Sequence, residues 1–174
     1  LRLADRLLDE GEQIVLKLHT KRSLHRKDGD QWRRELMERL LSPARARCIV
    51  QAMHDDQGLG IVAAEGHLLE VTNHMGANAD TLAYLDRRLG LGDTDAPARF
   101  VSGSMFWVRL EALRPLLDAH LDEWEFEAEQ GQSGGTFARA IERVFASCAR
   151  GAGYAIASAA SGCGEPEPDP SRPY

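Results

Sequence analysis

Cysteine is scarce in this chain of 174 residues: Cys48, Cys148 and Cys163 stand far apart and no two form a C-x-x-C pair. The expectation is a protein of a reducing compartment without a disulfide framework. No run reaches the roughly 18 apolar residues that a membrane-spanning helix needs, and Leu1-Arg2-Leu3-Ala4-Asp5-Arg6 lacks the basic-then-apolar order of a signal peptide. With no membrane span expected, a cytoplasmic protein is the simplest assignment. The chain also starts without Met, so it reads as a piece of something longer. Its histidines are dispersed and no HxxxH or HExxH spacing occurs; His54-Asp55-Asp56, the one compact His/carboxylate group, reads as a surface turn, and no metal site is expected. G-x-G-x-x-G and Walker loops are missing, and Ser102-Gly103-Ser104 is not a G-x-S-x-G elbow. With Cys48 and Cys148 on predicted core faces, nucleophilic Ser or Cys catalysis has little to stand on. Net positive charge is lacking as well: the chain carries −6, which argues against general nucleic-acid binding.

What is present is a normal globular composition, 43% hydrophobic, enough for one domain with a real core. Charge is uneven: ten Lys/Arg stand against four Asp/Glu between Lys17 and Arg47, and eleven against twenty-three elsewhere. A local basic stretch on an acidic protein suits a small anionic ligand. Three aromatics, a glycine and two serines crowd into Phe100–Arg109, whose composition is that of a strand, with Gly103 marking a bulge or close backbone approach. Alternation places Met105 and Trp107 on one face and Ser104 and Phe106 on the other. Leu110–Leu117 follows with helical spacing, Pro115 fitting only near its first turn. A strand feeding a helix is half of an α/β unit.

Elsewhere, helices are predicted over Leu3–Glu10 (stopped by Gly11), Asp28–Leu41 (Trp32, Leu36, Met37 and Leu40 inward, Asp28 or Asp30 capping) and Thr81–Leu89 (stopped by Gly90). Another is expected over Phe137–Arg150, capped by Thr136. Ala44–Asp55 reads as a further short element. Ile14–His19 and Leu59–Ala64 read as strands, and Gly153–Ala157 as a last one. Residues 1–160 then form one α/β domain, and the Pro/Glu-rich tail 161–174 is expected to be disordered.

Two stretches carry chemistry. Ligands of open α/β sheets bind beyond the carboxyl ends of strands, where Lys17, His19, Thr20, Lys21 and Ser23 supply ammonium, imidazole and hydroxyl groups suited to phosphate; a solvated basic loop is the competing reading. Glu125, Glu127 and Glu129 alternate beside Trp124 and Phe126, so on an extended segment they share one side, and crowding would raise at least one pKa toward that of a general base. The competing reading is an acidic, solvated edge.

Taken in order, Lys17-Leu18-His19-Thr20-Lys21-Arg22-Ser23, Trp32, Leu59-Gly60-Ile61-Val62, Gly103-Ser104-Met105-Phe106-Trp107-Val108-Arg109, and Phe126-Glu127-x-Glu129-x-Gly131-Gln132 through Gly135-Thr136 to Ala140-Ile141-Glu142-Arg143 resemble the rhamnan synthesis protein F family. The resemblance implies an α/β fold of the A-type glycosyltransferase kind, an incomplete sheet flanked by helices with its first nucleotide-binding strands before Leu1. It also implies a role in bacterial surface polysaccharide assembly of the rhamnan or O-antigen type. The implied reaction is hexosyl, even rhamnosyl, transfer from a nucleotide-diphospho-sugar such as dTDP-rhamnose to a glycan hydroxyl, at the cytoplasmic face of the inner membrane and beside other glycosyltransferase domains. In that scheme Lys17, His19, Thr20, Lys21 and Ser23 hold donor phosphate or sugar hydroxyls. Gly103, Ser104, Met105, Phe106 and Trp107 form the sugar platform, Trp32, Asn78, Gln132 and Thr136 complete the substrate site, and Glu127 or Glu129 deprotonates the acceptor. Gly134 and Arg139 stand where the family pattern has Asp and His. The alternative is a non-catalytic carbohydrate- or partner-binding module derived from the same fold.

Overall fold

The computed structural model describes residues 1–19, 28–91, 98–128 and 135–166. Along the chain these form α1 (Arg2–Asp9), β1 (Ile14–Lys17), α2 (Gly29–Leu41), α3 (Pro43–Asp55), β2 (Leu59–Ala63), β3 (Leu68–Glu70) and α4 (Ala79–Arg88). There follow β4 (Arg99–Val101), β5 (Phe106–Arg109), α5 (Arg114–Leu117), α6 (Phe137–Gly151), β6 (Ala155–Ser158) and α7 (Ala159–Gly162). The main sheet is mixed, in the order β1-β5-β2-β6, and β3 and β4 make a separate antiparallel pair. β5 runs antiparallel to both neighbours, with Val108 opposite Val15 and Ile61, while β2 and β6 are parallel. No helix among the described residues is long and apolar enough to cross a membrane.

The period of two along β5 divides the core between the faces of the sheet. Phe106 and Val108 join Ile61 and Ala63 under α4 and α6, whereas Met105 and Trp107 join Val62 under α2 and α3. β2 is buried at all five positions, which is why it reads as a continuous apolar run. α6 supplies the largest inward face; burial of Phe137, Ile141, Val144 and Phe145 contributes about 1.5–3 kcal/mol each. On the other side, Leu36, Leu40, Ile49 and Met53 are fully buried. Gly60 is obligatory for packing: a Cβ there would lie 2.5 Å from Cβ of Tyr154 and 3.0 Å from Cβ of Ala112.

The α/β expectation is therefore met by a mixed sheet with helices on both faces, but several local expectations change. Phe100–Arg109 is not one strand: β4 and β5 belong to different sheets, and the chain reverses between them at Gly103 (φ +83°) and Ser104 (φ +52°). Leu110–Leu113 is a 3-10 turn before α5, with Pro115 in the first turn of that helix. Asp28 stands at the N-cap of α2 without a capping side-chain bond. Leu3 of α1 is 60% exposed rather than packed inward.

The expectation of scattered, unpaired cysteines is corrected: Cys48 of α3 and Cys163 after α7 form a disulfide across a Cα–Cα distance of 5.9 Å. The pairing lay beyond reach of sequence spacing because α7 folds back over α3 only once β6 is in the sheet. It also orders the beginning of the expected tail: Ser158 caps α7, and Glu165 pairs with Arg45 at 2.9 Å. Residues 167–174 lie outside the described residues.

Candidate functional site

Because β5 is antiparallel to its neighbours, its amino end meets the carboxyl ends of β1, β2 and β6 on one rim. Phe106 lies opposite both Lys17 and Ala63, and Ala63 lies opposite Ser158. The next residues along each strand are polar. Of the six buried polar or charged residues among those described, Glu65, His67, Ser104 and Ser158 belong to this rim.

The Gly103-Ser104 reversal organises it. Lys17 Nζ donates to the carbonyl oxygen of Ser104 at 2.6 Å and to its Oγ at 2.9 Å, and stands 5.5 Å from the ring centres of Phe106 and Phe145. Burial among these rings lowers the Lys17 pKa, with the Glu142 carboxylate opposing the shift. His19 Nε2 lies 2.6 Å from the carbonyl oxygen of Gly103; a carbonyl only accepts, so Nε2 carries the proton. Its Nδ1 is buried with no hydrogen-bond partner among the described residues. Beneath the reversal, Trp32 Nε1 donates to His67 Nε2 at 3.0 Å and His67 Nδ1 donates to the carbonyl oxygen of Glu65 at 2.8 Å, which fixes the His67 tautomer. Arg39 donates to the same carbonyl at 2.8 Å. Arg45 pairs with Glu65 at 3.2 Å and with Glu165 at 2.9 Å, so the disulfide-anchored segment closes one end of the rim.

This arrangement reassigns the expected sugar platform. Gly103 does admit a close neighbour, but the neighbour is the protein: a Cβ there would meet Leu36 at 2.9 Å and Trp32 at 3.0 Å. Met105 and Phe106 are 1% and 0% exposed and belong to the two cores. Trp107 is half-buried and donates Nε1 to the carbonyl oxygen of Leu40 at 3.0 Å, bracing α2. Lys17, His19, Gly103, Ser104 and Trp32 thus come together, while the rings of Phe106 and Trp107 pack into the cores on opposite faces of the sheet.

A second polar cluster holds the amino end of α6. Thr136 Oγ1 accepts from Arg139 N at 3.3 Å, Glu127 accepts from Phe137 N at 2.9 Å, and Asn78, 1% exposed, accepts from Gly135 N at 3.0 Å. The carboxylates do not behave as their spacing suggested. Glu123–Glu125 is a 3-10 turn rather than an extended segment, and Glu125 closes a capping box with Asp122. Backbone N–H groups donate to both side chains: that of Asp122 foremost, then Arg88, lowers the Glu125 pKa, and that of Phe137 lowers the Glu127 pKa. The expected rise toward neutrality is absent from both because each carboxylate is hydrogen-bonded in its charged form. Thr20, Lys21, Ser23, Glu129 and Gln132 lie outside the described residues.

α6 links the two clusters. Glu142 acts on Lys17 from one side and pairs with Arg139 at 3.1 Å on the other. Arg143 donates to the carbonyl oxygens of Arg139 at 2.7 Å and His74 at 3.0 Å and covers the Phe100 ring. Sequence reasoning missed Glu65 and His67. The signal was available, since Glu65-Gly66-His67 follows the apolar β2 run as directly as His19 follows β1. Among the described residues, no group of three or more His, Cys, Asp or Glu side chains could hold a metal ion.

Comparison with known proteins now gives this geometry a context. Two relatives, from two strains of Xanthomonas campestris pv. campestris and each described as "Uncharacterized protein WxcX", are 50% identical over 174 residues, covering 100% of this chain and 25% of theirs. The chain spans about a quarter of the length of the curated relatives it matches. No solved structure matches it. The profile of the family described as "Rhamnan synthesis protein F" matches residues 1–154, so the chain belongs to the rhamnan synthesis protein F family.

Proposed function

We propose that the rim at the carboxyl ends of β1, β2 and β6 binds the anionic part of a nucleotide-diphospho-sugar, such as dTDP-rhamnose, in a glycosyltransferase-like domain of the A type. In this reading the acceptor hydroxyl oxygen attacks the anomeric carbon, the bond from that carbon to the diphosphate oxygen breaks, and the nucleoside diphosphate leaves with its electron pair. The acceptor proton passes to Glu127 or Glu129. The observation that carries the reading is Lys17: an ammonium taken largely out of water, its charged form disfavoured by burial, gains from a neighbouring diphosphate. His19, whose buried Nδ1 has no partner among the described residues, stands beside it. Glu127 remains ionised at neutral pH, as a proton acceptor must, although its bond to Phe137 N weakens it as a base. Work at the cytoplasmic face of the membrane and beside other glycosyltransferase domains belongs to the same proposal.

The second reading, a binding module without transfer activity, is favoured by one observation. Glu127 is already engaged in holding the start of α6. Thermal stabilisation by dTDP-, UDP- and GDP-sugars, with and without divalent metal, separates the readings from a domain with neither role. Stabilisation lost in His19→Ala supports donor binding, and no shift with any donor refutes it. Sugar transfer by Glu127→Gln and Glu129→Gln, each alone, then tests the base: full rate in both variants removes the assignment.

A further inference from the structure

The three tryptophans divide sharply. Trp32 and Trp107 are half-buried with their indole N–H groups bonded. Trp124 is 81% exposed, more than any other large hydrophobic residue described. It shares that exposure with Tyr84, 41% exposed, and Phe126, 37% exposed. Phe126 packs edge-on against Phe137 at 5.1 Å and Tyr84 lies 6.5 Å from that ring, while Arg88 bonds both the Tyr84 hydroxyl and Glu125. Tyr84 and Phe126, the other exposed aromatic side chains among the described residues, thus meet at Phe137, and the Arg88–Glu125 pair ties Tyr84 to the turn that carries Trp124.

The backbone presenting them is pinned. Asp122 and Glu125 close a capping box around Trp124, Arg88 holds Glu125 and the carbonyl oxygen of Ala119, and Arg2 pairs with Glu123 at 2.9 Å. The lowered pKa of Glu125 keeps that network charged at neutral pH. A turn pinned in this way has little backbone freedom left to lose when a ligand covers the indole it presents. The surroundings select the ligand. Asp122, Glu123 and Glu127 are exposed on the segment that carries Trp124 and Phe126, and with Glu125 they outnumber Arg2 and Arg88 there, repelling polyanions while offering acceptors to hydroxyl donors. A pyranose matches both features, its axial C–H face lying on an aromatic ring and its hydroxyls donating to carboxylates. The patch also borders Glu127, the candidate base.

We infer that Trp124, with Tyr84 and Phe126, forms a subsite for a neutral glycan, the acceptor side of the site proposed above, on which reading the inference rests. The probes are a neutral rhamnose trisaccharide and, as a charge control, a galacturonic acid trisaccharide, each titrated while tryptophan fluorescence is followed. The neutral sugar is expected to produce a saturable change that weakens at least tenfold in Trp124→Ala, with Trp124→Phe intermediate and the acidic sugar much weaker. Unchanged melting temperature in Trp124→Ala shows that the exposed side chain is not needed for folding. The inference is overturned by no response to the neutral sugar, by equal response in Trp124→Ala, or by concentration-dependent self-association that Trp124→Ala abolishes, which would make the patch a contact between copies. Donor stabilisation is measured on the same variant: retained donor binding without glycan binding removes only this subsite, and glycan binding without any donor effect removes the donor reading instead.

Discussion

Replacing Gly103 by Ala tests the link between the backbone reversal and the rim. The native φ of +83° favours glycine, and a left-handed conformation costs an L-residue about 1–2 kcal/mol. The new methyl also meets Leu36 at 2.9 Å and two Trp32 ring carbons at 3.0 Å. Neither neighbour yields easily: Leu36 is fully buried, and the indole is held by its bond to His67. Overpacking of this kind adds about 1–3 kcal/mol, so Gly103→Ala should lose about 2–5 kcal/mol in urea unfolding, or roughly 4–20 °C in Tm for a domain of this size. A double-mutant cycle separates the contributions. In a Trp32→Ala background the ring contacts vanish while the backbone strain persists, so the cost of Gly103→Ala should fall by about 1 kcal/mol or more. A single-mutant loss below about 1 kcal/mol, or additivity within about 0.5 kcal/mol, would refute the argument.

Lys17 and the cysteines give further tests. Between the lowered native pKa of Lys17 and its ordinary 10.5, the unfolded chain binds more protons than the native one, so the contribution of Lys17 to stability rises with pH across that window. The stability of wild type minus that of Lys17→Met should therefore rise as pH approaches 10.5 from below, and a constant or falling difference counts against burial as the dominant influence. Reduction of Cys48–Cys163, or Cys163→Ser, should cost about 2–4 kcal/mol in urea unfolding; an unchanged midpoint removes the disulfide from the native state. Cys148 is buried, its pKa pushed up to about 12, so a thiol reagent should label it only on unfolding, and rapid labelling of the native protein contradicts this.

The helices of this fold announce themselves because each is a local object: the spacing of Leu36 and Leu40, or of Ile141, Val144 and Phe145, needs no knowledge of a partner. The rule pointing beyond carboxyl strand ends likewise singled out Lys17 and His19, which the fold brings together at the Gly103-Ser104 reversal. Sequence reasoning failed where the decisive neighbour was distant along the chain. Gly103 signalled a close approach correctly, but nothing local says that the approaching group is Trp32 rather than a ligand. Period-two alternation holds Met105, Phe106 and Trp107 to their faces, but it cannot show that helices cover both faces. The alternating glutamates illustrate a different error. Alternation implies one-sidedness only in an extended chain, and Asp122-x-x-Glu125 is itself a capping-box pattern that announces a turn.

The insertion of β5 between β1 and β2 has a kinetic consequence. Ile14 finds its partner in Arg109 and Leu59 finds its partner in Ala155, so no pair of neighbours in the main sheet is joined by a hairpin. During synthesis β1 emerges before β5 and stays without its ladder until β5 has followed, and β6 must arrive before β2 is covered on its second side. Distant pairings of this kind slow folding because the closure entropy of long loops opposes the first contacts. Until β5 docks, the apolar strands are open to pairing with other chains, so β5 is both the bridge of the finished sheet and the step that ends its exposure to aggregation.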